Sequence, residues 1–148
     1  MIRTFAAIAA ISFSGAAFAE GDAAAGESAF KKCKSCHMIV ADDGEVIQKG
    51  GRAGPNLYGV VGRAGGGAEG FKYSKDLLAA GEAGLVWDEA SLAEWVKDPK
   101  AFLKAYLEDD GAKSKMSFKL KKGGEDVAAY LASVGPAVEA AEEEKSDG

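Results

Sequence analysis

One pentapeptide constrains this chain more than anything else in it: Cys33-Lys34-Ser35-Cys36-His37. It holds the only histidine and both cysteines of the 148 residues. Two thiols at this spacing can close a disulfide or act as a thioredoxin-like redox pair. That chemistry asks for a βαβ setting, which the sequence lacks, and it leaves His37 unexplained. A structural zinc needs four ligands, and there are no further Cys or His residues to supply them. The remaining chemistry uses all three residues at once. In C-x-x-C-H the two thiols add to the two vinyl groups of a porphyrin, and the adjacent imidazole lies beneath the iron. Cys33 and Cys36 are therefore read as the attachment points of one covalent haem c, with His37 as its proximal ligand.

A second axial ligand follows by elimination among three methionines. Met1 sits in a segment expected to be removed, and Met38 adjoins His37 on the same side of the iron. Met116 remains, in the polar run Ser114-Lys115-Met116-Ser117-Phe118, where no helical apolar pattern marks it as a core residue. Methionine opposite histidine fills both axial positions and raises the reduction potential. A peroxidase-like enzyme or gas sensor would instead need an open sixth position and groups that handle protons. With no second histidine, the expectation is an electron-transfer protein and not an enzyme.

The first 19 residues have the layout of a secretory signal: Arg3, an apolar stretch, then Ala17-Phe18-Ala19 as an A-x-A cleavage site. The apolar run Phe5 to Ala19 is shorter than the ~20 residues of a spanning helix. Cleavage after Ala19 leaves an exported, periplasmic domain from residue 20 to 136 with no membrane span, followed by an acidic tail, 137–148, expected to be disordered. The chain carries a net charge of −5, which argues against a nucleic-acid partner. Against that background residues 113–122 hold five lysines and no acid.

The mature part reads as all-α: several short helices joined by glycine-rich loops and wrapped around the haem. Asp22 caps a first helix that passes Gly26, Ala29 and Phe30 towards Cys33. Residues 41–70, with ten glycines, are expected to be mostly loop. Ser74 caps a helix ending near Gly81, with Leu77 and Leu78 turned inward. Asp88 caps the next, where Leu92, Trp95 and Val96 share a face. Pro99 ends that helix and opens another bearing Phe102, Leu103, Tyr106 and Leu107. The last carries Val127, Tyr130, Leu131 and Val134 and stops at Gly135-Pro136. No run shows strand alternation.

Four blocks in order resemble the class I cytochromes c, and in particular the large-insert bacterial cytochrome c2 type. They are Cys33 to His37, Gly54-Pro55-Asn56-Leu57-Tyr58-Gly59-Val60-Val61-Gly62-Arg63, Trp87 to Pro99, and Lys115-Met116-Ser117-Phe118 with the last helix. The resemblance implies that the Pro55 carbonyl accepts a hydrogen bond from His37, and that Arg63, Tyr73 and Trp87 hold a haem propionate. On their own chemistry Arg63 could equally be a surface cation, and Tyr73 and Trp87 core aromatics. The resemblance also places Gly26 and Phe30 at a helix crossing with Tyr130 and Leu131. Trp95 stands where many relatives have a tyrosine that meets the methionine sulfur, which leaves that hydrogen bond open.

Lys32 and Lys34 flank the attachment site, and Lys113, Lys115, Lys119, Lys121 and Lys122 flank Met116. Lysines on loops are ordinary solvated surface, but clustering beside both ligands fits a cationic ring that steers a monomer to acidic partners. The partners expected are membrane redox complexes. The family resemblance implies a quinol–cytochrome c reductase as donor and a photosynthetic reaction centre or terminal oxidase as acceptor.

Overall fold

The computed structural model describes residues 21–136. The expected leader and the acidic tail lie outside the described residues. Five helices follow in order: α1 (Ala23–Phe30), α2 (Lys75–Glu82), α3 (Glu89–Lys97), α4 (Pro99–Leu107) and α5 (Gly124–Val134). None of the described helices is long and apolar enough to cross a membrane.

Side chains fix most of the starts. Asp22 accepts hydrogen bonds from the Ala24 and Ala25 amides, and Ser74 accepts one from Leu77. Asp88 and Ser91 satisfy each other's amides in a reciprocal capping box. Asp98 both ends α3 and caps α4 by accepting from Ala101, while Pro99 occupies the first turn, where its missing N–H costs nothing.

Two sequence expectations need correction. A short antiparallel pair is present, β1 (Ile39–Val40) with β2 (Val46–Gln48), registered Ile39 to Gln48 and Val40 to Val46 across an irregularity. Its turn runs through Asp43-Gly44, with Gly44 at φ 90° and the Asp43 carboxylate accepting from Glu45. Strands of two and three residues are too short to show alternation. The Asp-Gly turn between apolar pairs was the readable signal. Leu78 also faces out, at 44 % exposure, whereas Leu77 and Ala80 are buried. Adjacent residues on a helix are 100° apart, so an inward stripe through Leu77 and Ala80 turns Leu78 away, over Gly66.

The frame is the crossing of α1 and α5. A Cβ on Gly26 would lie 1.9 Å from the Asp126 carbonyl oxygen and 2.8 Å from Tyr130 Cβ, so the two backbones approach as only glycine allows. Phe30, fully buried, packs on Tyr130 with ring centroids 5.8 Å apart. Leu131 is buried one residue further on and faces the central cavity. The hairpin is tied to the same place, because Gln48 Nε2 donates to the Tyr130 hydroxyl over 2.9 Å. On the other side, Trp87, Trp95 and Phe102 cluster with centroids 5.3–5.8 Å apart, Trp95 meeting each of the other two edge-to-face.

Candidate haem site

Between these two halves lies a cavity of about 260 Å³. Cys33, Cys36, His37 and Met116 all line it, together with apolar side chains such as Leu57, Val60, Leu92 and Val127. Met38 is not among its walls. Of the two methionines among the described residues, Met116 is the one that lines the cavity.

Cys33 to His37 follow α1 without a break in a chain of tight turns. Cys33 N–H donates to Phe30 O, and the amides of both Cys36 and His37 donate to Cys33 O. This brings both thiols and the imidazole to one wall of the cavity. Burial and the neighbouring Cys36 push the Cys33 thiol above its ordinary range, only partly offset by Lys32. A redox-active dithiol needs the opposite, a nucleophilic cysteine with a lowered pKa. The dithiol reading thus loses support on chemistry as well as on fold.

The imidazole is set by the next loop. His37 Nδ1 and the Pro55 carbonyl oxygen are 2.9 Å apart. A carbonyl can only accept, so the proton of the neutral ring sits on Nδ1 and the lone pair is left on Nε2. Burial holds the His37 pKa below its usual value, with the Pro55 bond acting in the opposite sense, so the neutral form prevails at pH 7. The loop is brought close by glycines. Gly54 lies against the ring face, where a Cβ would be 2.2 Å from His37 Cε1, and its amide donates to Cys36 O at 2.8 Å. Gly50 and Gly51 pass equally close to the His37 and Ser35 carbonyls.

Arg63, Tyr73 and Trp87 line the same cavity. Arg63 donates to the Asn56 carbonyl at 3.0 Å and to the Tyr58 carbonyl, which uses two of its five N–H groups. The Tyr73 hydroxyl accepts from the Ala68 amide at 3.1 Å and retains its own proton to donate. The Trp87 indole N–H has no protein acceptor among the described residues. The Trp87 side chain forms part of the cavity wall. Each of the three thus keeps a donor to offer. Trp95 also lines the cavity, but no hydrogen bond joins its indole to Met116 among the described residues.

The surface lysines divide. Lys32, Lys119, Lys121 and Lys122 meet around Phe118 and Leu120 in one groove beside the cavity. Lys115 reaches the cavity rim, and its ammonium donates to the Lys72 carbonyl at 2.9 Å. Lys119 is paired with Asp98 at 2.7 Å. Lys113 is exposed and Lys34 half-buried, and neither reaches the groove. Sequence reasoning missed Lys72, Asp76 and Asp98, whose partners lie 21 to 43 residues away.

Among the described residues no group of three His, Cys, Asp or Glu could hold a metal ion by itself. The cavity does fit a haem. It pairs thiols at one wall with a pre-set imidazole, places a thioether in the same lining, and surrounds them with apolar side chains and a few free donors.

Comparison with known proteins agrees. No protein-family model matches the chain. It is 65 % identical over 135 residues to cytochrome c-551 of Roseobacter denitrificans, covering 90 % of this chain and 96 % of that one. It is 57 % identical over 131 residues to cytochrome c2 of Rhodobacter capsulatus, covering 88 % and 95 %. The solved structure of cytochrome c2 from Rhodobacter capsulatus superposes with a TM-score of 0.76 at 60 % identity, over 77 % of this chain and 98 % of that one. That of cytochrome c2 from Paracoccus denitrificans gives 0.78 at 53 %, over 80 % and 99 %. The chain belongs to the bacterial cytochrome c2 family of class I cytochromes c, electron carriers built on one covalently attached haem.

Proposed function

We propose that this chain is a periplasmic, monomeric single-electron carrier whose haem c is bound through Cys33 and Cys36 and ligated by His37 and Met116. The observation that carries the reading is the convergence of these four side chains on one cavity, with the His37 tautomer set by Pro55. A haem bound there supplies the one-electron couple.

The protein's own residues do the rest. Pro55 O keeps the Nδ1 proton in place, which orients the ring and raises the basicity of Nε2. The apolar walls limit solvent access, another lever on potential. Arg63, Tyr73 and Trp87 offer donors to a propionate, whose charge would otherwise be costly to bury. Held by both His37 and Met116, a haem would serve electron transfer and would offer no open position for oxygen chemistry. The ferric protein is expected to show a low-spin spectrum with a methionine–iron charge-transfer band, and the denatured chain to retain its haem under reducing conditions. A high-spin ferric spectrum would sink the reading.

Export rests on the leader, with cleavage after Ala19. The partners are membrane redox complexes with acidic docking faces: a quinol–cytochrome c reductase as donor, and a reaction centre or terminal oxidase as acceptor. The groove that gathers Lys32, Lys121 and Lys122 around exposed Phe118 supports this, since it puts cations around an apolar contact next to the cavity. Reversing Lys121 and Lys122 to glutamate together is expected to slow association with such a partner about tenfold at low salt. The effect should fade as ionic strength rises, with the spectrum unchanged. A salt-independent rate in the unaltered protein would rule out this docking mode.

A further inference from the structure

The segment that carries Met116 has almost no regular structure from Asp109 to Lys122, yet it must present one thioether to one point. Its internal bonding is slight: Asp109 accepts the Gly111 and Ala112 amides at its start, and Ser114 Oγ donates to the Met116 carbonyl and accepts the Met116 amide. Tethers from outside hold it on both flanks. Before Met116, the Asp76 carboxylate in the first turn of α2 accepts the Lys113 amide at 2.8 Å, and Lys115 Nζ reaches the Lys72 carbonyl two residues later. After Met116, the Asp98 carboxylate pairs with Lys119 at 2.7 Å, and Leu120 N–H donates to Val96 O, also at 2.7 Å. The α2 start and the α3–α4 corner thus grip the strand on either side of the sulfur.

Asp98 divides its two oxygens between tasks. Oδ1 caps α4 through Ala101, while Oδ2 takes Lys119. Asp76 has no such division, because its one hydrogen bond among the described residues is to the segment. A carboxylate accepting a backbone N–H is a charge-assisted bond with fixed geometry. The Lys119 pair is open to solvent on both sides and contributes little by itself.

We propose that Asp76 is a positioning residue for Met116, holding the leading flank of the ligand segment, and that Asp98 is its weaker counterpart on the trailing flank. This rests on Met116 being the axial ligand. Neither carboxylate touches the haem site. They act by keeping a loop closed that would otherwise swing the thioether away and admit another ligand.

Imidazole binding to the ferric holoprotein measures that opening. The nitrogen lone pair of imidazole replaces the methionine sulfur, with no change of oxidation state. Asp76→Ala is expected to tighten the apparent imidazole affinity about tenfold, and Asp98→Asn, which keeps the helix cap, about twofold. Asp76→Asn, still an acceptor but uncharged, should fall between Asp76→Ala and the unaltered protein. Glu89→Ala, an acid in the first turn of α3 with no hydrogen bond to the segment, controls for loss of a first-turn charge and should leave the affinity unchanged. Amide hydrogen exchange gives a readout independent of the iron: the Lys113 amide should exchange faster in Asp76→Ala while the α5 amides do not. An intact methionine–iron band with unchanged imidazole affinity and unchanged Lys113 exchange in Asp76→Ala overturns this inference alone. Absence of that band from the unaltered ferric protein overturns the ligand assignment and this inference together.

Discussion

Gly54→Ala is expected to disable the proximal side of the haem site while leaving every proposed ligand in the chain. The added methyl would stand 2.2 Å from His37 Cε1, 2.6 Å from Nδ1 and 2.7 Å from Nε2, closer than a Cβ approaches any non-bonded atom. The neighbour is a ring face, which cannot bend aside. Withdrawing the loop instead would strain the Gly54 amide bond to Cys36 O and carry Pro55 with it. Either way the 2.9 Å bond between Nδ1 and Pro55 O is lost, and with it the orientation of Nε2. The predicted result is a ferric protein of mixed spin state with a weakened or absent methionine–iron band. Stability should fall by about 1–3 kcal/mol, as overpacking usually costs. Pro55→Ala makes the informative contrast. The acceptor is a backbone carbonyl, so that variant keeps the bond and should keep the spectrum. A Gly54→Ala protein with an unaltered spectrum and potential would show that His37 is not held by this loop.

That prediction could not have been made from the sequence, and the reason is physical. Cys33 to His37 was legible because its chemistry is local: five consecutive residues place two thiols and an imidazole whatever the rest of the chain does. Met116 is singled out by count, since the sequence offers few alternatives, and the fold sets it in the cavity lining. The caps at Asp22, Ser74 and Asp88 were legible because a polar side chain before an apolar helical stripe has few other uses. Gly54 gave no such sign, being one of ten glycines in a loop where any of them could have been a plain turn. Its closeness to the imidazole exists only after the loop folds back across 17 residues. The same holds for Asp76 and Asp98. An acid in a first helical turn or at a cap already has a sufficient local explanation, and that explanation hid the long-range partner. Leu78 differs for a simpler reason: the buried stripe of α2 runs through Leu77 and Ala80, and Leu78, 100° round the helix from Leu77, falls on its exposed flank.

Gly26→Ala should be the most destabilising single methyl added to this protein away from its cofactor. The new Cβ would meet the Asp126 carbonyl oxygen at 1.9 Å, its carbon at 2.5 Å and Tyr130 Cβ at 2.8 Å. Two of these atoms are helix backbone, so no side-chain rotation relieves the clash and α1 must lift off α5. Gly21 makes the same close approach further along, where a Cβ would meet the Glu125 carbonyl oxygen at 2.1 Å. Lifting α1 pulls apart the Phe30–Tyr130 pair and the 2.8 Å bond from the Asp22 amide to Asp126. It also disturbs Tyr130, which anchors the hairpin through Gln48. The cost is expected at or above the upper end of the ~1–3 kcal/mol seen for overpacked cores. For a domain whose whole stability is about 5–15 kcal/mol, that is a large fraction. Urea unfolding of the holoprotein, followed by the tryptophans Trp87 and Trp95, measures it. Gly44→Ala separates sterics from backbone conformation, since Gly44 has open space around it but sits at φ 90°. Its cost should be about 1–2 kcal/mol, the penalty for a left-handed residue. If the two variants unfold at the same urea concentration, close approach of α1 and α5 is not what stabilises the frame. A much earlier transition for Gly26→Ala, together with fewer covalently loaded molecules recovered, places that crossing upstream of the haem site, because Cys33 follows α1 directly and reaches the cavity only when α1 is seated.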